Sequence, residues 1–202
     1  MERRDKVLLL SWPVYLTLFF LSERLIPAER CMVIQCAADK LIPFCEWFLI
    51  PYVSWYPLVA GSVIWLLRKD RKLFRWLQSY ILITQVIGLI CFFLLPSRQE
   101  LRPDVFPREN LLTKLTGLLY AIDTPTGVCP SMHVAWSLAL ISAWTRKRDC
   151  SSLWRWFMTV WCTLICISVV FVKQHSALDI LGGLAAGMAA ELILRFIKTS
   201  AT

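Results

Sequence analysis

Six long apolar runs constrain this chain more than any other feature of its sequence. A helix that crosses a bilayer takes roughly 20 mostly apolar residues. The runs fall at about 6–26, 45–67, 74–95, 130–145, 152–172 and 175–197. The fourth is short, which suits a helix whose first turn sits inside a protein cavity below the membrane surface. The expected fold is an all-α polytopic membrane protein, a six-transmembrane-helix bundle forming a single domain over residues 1–202. Hydrophobic residues make up 57% of the chain and charged residues 18%. A soluble domain of this length has no need of so apolar a composition. No internal repeat, low-complexity segment or flexible linker interrupts the pattern.

The formal net charge of +8 would raise nucleic acid as a partner in a soluble protein. Here the cations sit between the apolar runs, so they report orientation, and no nucleic-acid partner is expected. Arg68, Lys69, Arg71, Lys72 and Arg75 separate the second and third runs, and Arg146, Lys147, Arg148 and Arg155 the fourth and fifth. With Arg3, Arg4, Lys6, Arg195 and Lys198 they mark one side. The positive-inside rule puts that side, with both termini, in the cytoplasm of a plasma (inner) membrane. The N-terminal run reads as an uncleaved signal anchor, because no small-x-small site follows it. Segments 27–44, 96–129 and a turn near 173–175 then face outward. Trp47, Tyr52, Trp55 and Tyr56 read as part of an interfacial aromatic belt. Of eight cysteines, Cys31 and Cys36 are the pair placed for a disulfide. No spacing matches a zinc site, so no metal is expected.

Two histidines occur, His133 and His175, each at the outward end of a run. The segment Cys129-Pro130-Ser131-Met132-His133 opens the fourth run as a helix start, with proline and serine where a first turn takes them. Such a start presents free backbone N–H groups to an anion. His133 is placed to protonate an oxygen leaving a bound phosphate. His175 and Asp179 lie four residues apart and share a helix face. A carboxylate there can hold one ring nitrogen and leave the other free to attack. Asp179 is costly inside a span without a partner. Arg102-Pro103 in the long outward loop adds a fork suited to phosphate oxygens. Together these groups imply phosphoryl transfer through a phosphohistidine.

The pattern resembles the type 2 phosphatidic acid phosphatase superfamily. That family carries lysine-x6-arginine-proline, proline-serine-glycine-histidine and serine-arginine-x5-histidine-x3-aspartate. This chain offers Arg102-Pro103, Pro130-Ser131-Met132-His133, and Ser168 followed by His175 and Asp179. Asp123-Thr124-Pro125 and Lys173-Gln174-His175 are similar to the inositol phosphorylceramide synthase-like branch. The resemblance implies His175 as nucleophile, Asp179 as its orienting acceptor and His133 as general acid. It implies a phosphate cradle of Arg102, Ser131 and the backbone at Met132, with no metal or other cofactor. Three family positions differ: Leu95, expected to be buried in a span, stands for the lysine, Met132 for the glycine and Val169 for the arginine. Lys173 and Arg98 are the cations expected to replace the missing charges.

The resemblance implies a membrane lipid phosphatase. Its substrate would be a phospholipid or polyprenyl phosphate in the bilayer, such as phosphatidic acid, phosphatidylglycerol phosphate or a polyprenyl pyrophosphate. The alternatives are a phosphotransferase that passes the group to a lipid alcohol, and a catalytically inactive lipid-binding relative. A transporter fits less well, because paired broken spans are missing. Gly183 and Gly187 make a small-xxx-small stripe, expected to serve helix packing within the monomer. Oligomeric state is not legible.

Overall fold

The structure, a computed structural model, describes residues 2–199. The side chain of Lys198 lies outside the described residues. Six helices follow the six apolar runs to within a few residues: α1 (Arg3–Leu25), α3 (Leu49–Lys69), α4 (Arg71–Leu94), α6 (Met132–Arg146), α7 (Ser152–Phe171) and α8 (Ala177–Thr199). Two shorter helices, α2 (Ala37–Leu41) and α5 (Leu111–Ile122), lie in segments expected to be loop. A two-residue parallel pair joins β1 (Met32–Val33) to β2 (Ser97–Arg98), with Met32 opposite Ser97.

Local chemistry sets the helix ends. Asp70 closes α3 by donating its N–H to Leu66 O (2.8 Å) and opens α4 by accepting from Leu73 N (3.0 Å). One residue therefore makes a tight reversal between two long helices. Ser151 caps α7 through Trp154 N (3.2 Å). Asn110 and Thr113 bond reciprocally at the start of α5, a capping box.

Five helices are long and apolar enough to cross a membrane: α1, α3 with the turn before it, α4, α7 and α8. Helix α6, with 15 residues, falls short of that length. It is the centre of the bundle, packed on α3, α4, α7 and α8, and 11 of its 15 residues are buried. A helix surrounded by protein need not match the thickness of lipid, which accounts for its length. Ala135, Ala139 and Ala143 stack one per turn at 0% exposure, so neighbouring backbones approach closely. Gly183 and Gly187 do the same from α8. A Cβ at Gly183 would stand 2.6 Å from Ser131 O, and one at Gly187 2.6 Å from Leu138 Cδ1. The small-residue stripe serves contact within the monomer.

Three expectations are corrected. Tyr52 and Trp55 do not face lipid; they are buried at 0% and 7% exposure, while Trp47 and Tyr56 remain exposed. Period 3.6 places residues 52 and 55 on the inner face of α3, a distinction that aromatic content alone does not carry. Leu95 ends α4 and is 58% exposed. Cys31 and Cys36 are free thiols.

Candidate active site

The three sequence blocks converge on the turn between α7 and α8. Helix α7 ends when Val172 N–H reaches Ser168 O (2.9 Å), and the amides of Gln174 and His175 both donate to Val169 O (3.0 and 3.1 Å). Lys173 takes φ +54° to make this reversal. The cluster that includes Tyr52, Val169 and Val172 packs beneath the turn. The turn that bears His175 is thus tied down by these bonds and packed on its inner side.

His175 Nδ1 lies 3.3 Å from Asp179 Oδ2, one turn into α8. The same carboxylate oxygen accepts from Ser176 N (2.9 Å). Asp179 is fully buried, and its Oδ1 has no protein hydrogen-bond partner. The main-chain carbonyl of Asp179 accepts from Ser131 N (3.1 Å). That bond ties the start of α6 to the start of α8.

His133 sits in the first turn of α6, its ring centroid 6.0 Å from that of His175. Tyr52 stacks on His133 at 4.3 Å, and Trp55 leans on it at 4.2 Å. This aromatic sleeve leaves the imidazole little freedom to rotate. The first bond of the α6 ladder is Ala135 N–H to Ser131 O (3.0 Å). The amides of residues 132–134 lie ahead of it, as they do at any helix start. Ser131 Oγ and His133 Nε2 are both buried without a protein hydrogen-bond partner. Buried polar atoms are nearly always partnered. Three of the buried unpartnered atoms, on Ser131, His133 and Asp179, lie close to this turn.

Arg102 reaches the same turn from the long loop. Its Nε and Nη2 donate to Gln174 Oε1, Nη1 donates to Tyr120 O (3.0 Å), and Nη2 also donates to Asp123 O (2.8 Å). The guanidinium lies 4.5 Å from the Tyr120 ring centre. Burial draws its affinity for a proton down, while the charge of Asp123 opposes that shift. Gln174 Nε2 donates to Asp123 Oδ2 (3.0 Å). Burial raises the Asp123 carboxyl above its ordinary range, against the pull of His175 and Arg102.

Lys173 and Arg98, expected to supply the missing charges, are committed elsewhere. Lys173 Nζ donates to the carbonyls of Asp39 (2.9 Å) and Ile42. Burial lowers its pKa. Its left-handed backbone turns the side chain toward α2, away from the direction that spacing alone implies. Arg98 pairs with Glu100, and its backbone bridges to Thr126. Met132 packs in the core cluster with Tyr15 and Trp136, and its Cε would meet a Cβ at Gly88 at 3.1 Å.

Several contributors escaped the sequence reading. Tyr52 and Trp55 hold His133, and Gln174 and Asp123 hold Arg102. Asp39 accepts from Ser176 Oγ (2.6 Å) and Ala177 N (2.8 Å), so it anchors the start of α8. Gln174 and Asp123 were visible in the branch-like motifs, but with no role attached.

A family model described as the PAP2 superfamily, the type 2 phosphatidic acid phosphatases, matches residues 40–193. The chain belongs to the PAP2 superfamily. The matched stretch holds Arg102, His133, His175 and Asp179, and with them the geometry described above. PAP2 membership brings a phosphatase- or phosphotransferase-type function related to lipids, and the apolar helices suit a multi-pass membrane protein. No curated protein and no solved structure matches the chain at a significant level.

Proposed function

We propose that this PAP2 protein is a histidine-dependent lipid phosphatase that cleaves a phosphate monoester or pyrophosphate through a phosphohistidine. The observation that carries the reading is the His133–His175 pair, 6.0 Å apart, with Asp179 on His175 Nδ1. With Nδ1–H given to Asp179, Nε2 of His175 keeps its lone pair for attack at phosphorus. A bond forms between Nε2 and phosphorus as the bond from phosphorus to the lipid oxygen breaks. His133 passes a proton to that leaving oxygen. Water then gives a proton back to His133 and attacks the phosphohistidine, which releases phosphate and restores His175. Ser131, the amides at the start of α6 and Arg102 would cradle the phosphoryl oxygens.

Phosphatidic acid, phosphatidylglycerol phosphate and polyprenyl pyrophosphates all carry the required terminal phosphate. The basic loops favour a sixth crossing by α6, both termini in the cytoplasm and the histidines at the outer face of a plasma membrane. Transfer to a lipid alcohol is the second reading. Asp123 favours it, since its carboxylate, held by Gln174 of the turn that bears His175, could take a proton from an acceptor hydroxyl.

The test is phosphate release by purified protein in detergent micelles, from each of the three substrates, for wild type and His175→Ala. Wild type should release inorganic phosphate without an acceptor lipid and give an acid-labile phosphoprotein on quenching. Equal release by His175→Ala would remove the phosphohistidine from the account. Release that needs an acceptor alcohol would favour transfer.

A further inference from the structure

The end of the bundle opposite the histidines holds a cavity of about 860 Å³. It lies where α1 and α4 begin and where α6 and α8 end. Helix α6 runs from His133 toward it, and 15 residues span roughly 21 Å, so the two places are separate. Six of its lining residues are cationic (Arg4, Lys72, Arg75, Arg146, Lys147 and Arg148) against two acidic ones, Asp70 and Asp149.

Half of that positive charge is already answered. Arg75 pairs with Glu2 and Asp5, Arg146 with Glu191, and Lys147 with Asp70 and Asp149. Among the described residues, Arg4, Lys72 and Arg148 have no carboxylate within ion-pair distance. Three uncompensated cations thus face one cavity whose frame is held by partly buried ion pairs. Arg146 also lies over the Trp76 ring, 4.3 Å from its centre. A loose basic loop set only by orientation in the bilayer would not need these braces.

One wall is apolar. Leu194 and Ile197 of α8 line it, and Ile197 is exposed. A ligand seated here meets cations at its polar end and hydrocarbon along α8. A phosphate-bearing group attached to fatty chains has that division; free phosphate has only the first part. We propose that this cavity binds the phosphate-bearing headgroup of an anionic membrane lipid, at a site apart from the histidine pair.

The experiment uses the full chain with His175→Ala in every arm, so that no lipid is turned over. Phosphatidylglycerol is titrated into phosphatidylcholine nanodiscs, and bound lipid is counted by native mass spectrometry after gentle release. The parent should retain phosphatidylglycerol over phosphatidylcholine. Arg4→Gln/Lys72→Gln/Arg148→Gln should bind it about a hundredfold more weakly, at about fivefold per cation near the surface. The single Lys72→Gln variant should lose about fivefold, which keeps the test open if the triple variant misfolds. Arg4→Lys/Arg148→Lys should retain binding, because the site reads charge. Triple-variant affinity within about twofold of the parent would overturn the proposal. So would displacement of the lipid by millimolar inorganic phosphate at this site, which would assign it to a soluble anion.

Discussion

Arg102 donates twice to one oxygen: its Nε at 3.1 Å and its Nη2 at 2.6 Å both reach Oε1 of Gln174, the residue next to His175. The other end of the Gln174 amide donates to Asp123. One neutral side chain therefore links a cation to a carboxylate. The arginine of the first sequence block is thereby tied to the turn that carries His175.

Gln174→Ala should weaken both ends of this link. Leaving the Arg102 and Asp123 groups short of partners costs about 1–3 kcal/mol of stability. The freed turn should lower kcat/KM about ten- to hundredfold, since small displacements of a reacting group are expensive. Thermal melting and phosphate release on the same preparation check the two effects. Unchanged kcat/KM would mean that the link does not position His175.

Asp179→Asn keeps size but removes the carboxylate that, on the proposed mechanism, holds the Nδ1–H tautomer of His175. We expect kcat to fall by about a thousandfold or more, with KM little changed. The carboxamide oxygen can still accept from Ser176 N, so the start of α8 should persist. Circular dichroism alongside steady-state kinetics distinguishes lost orientation from lost fold.

Gly183→Ala would place a methyl 2.6 Å from Ser131 O and 2.7 Å from Val134 Cβ. Backbone cannot yield as a side-chain tip can, so α8 must shift from α6. Overpacking of this kind costs about 1–3 kcal/mol. Because the same contact holds Ser131 N to Asp179 O, activity should fall as well. Gly61→Ala, where nothing lies within 4 Å, should be neutral or stabilising by about 0.5–1 kcal/mol. Paired melting curves of the two variants make the comparison.

Asp39 gives a pH signature. Burial works to raise its carboxyl, but hydrogen bonds from Ser176, Ala177 and Cys36 outweigh that and hold it below the ordinary value of 3.8. A depressed folded-state value means that the stabilisation is fully present above the ordinary value. It is lost as pH falls from there through the lowered folded value. Wild type should therefore lose melting temperature as pH drops below about 3.8. Asp39→Asn should melt lower at neutral pH and show a shallower acid slope. Parallel slopes for the two proteins would refute the assignment.

Much of the fold was legible because lipid demands long apolar helices, and such runs are visible without coordinates. The bounds of α1, α3, α4, α6, α7 and α8 follow them closely. Helix α5 was missed because its 12 residues are too few to span and lie in a segment rich in charge. The buried faces of Tyr52 and Trp55 were missed for another reason: a single aromatic residue suits lipid and core equally, and only neighbours decide between them.

The amino-acid sequence by itself determined which groups can do chemistry here. Two histidines, one buried carboxylate and a serine at a helix start are set by residue identity and by spacing along regular helices. Only the tertiary structure decided which cations stand beside the histidine turn and which are committed elsewhere. Arginine and lysine end on long flexible stems, so their partners depend on carbonyls and carboxylates brought near by folding. Lys173 turned to the carbonyls of Asp39 and Ile42, and Arg98 to Glu100, while Arg102 was drawn to Gln174 because the loop and the α7–α8 turn meet in space.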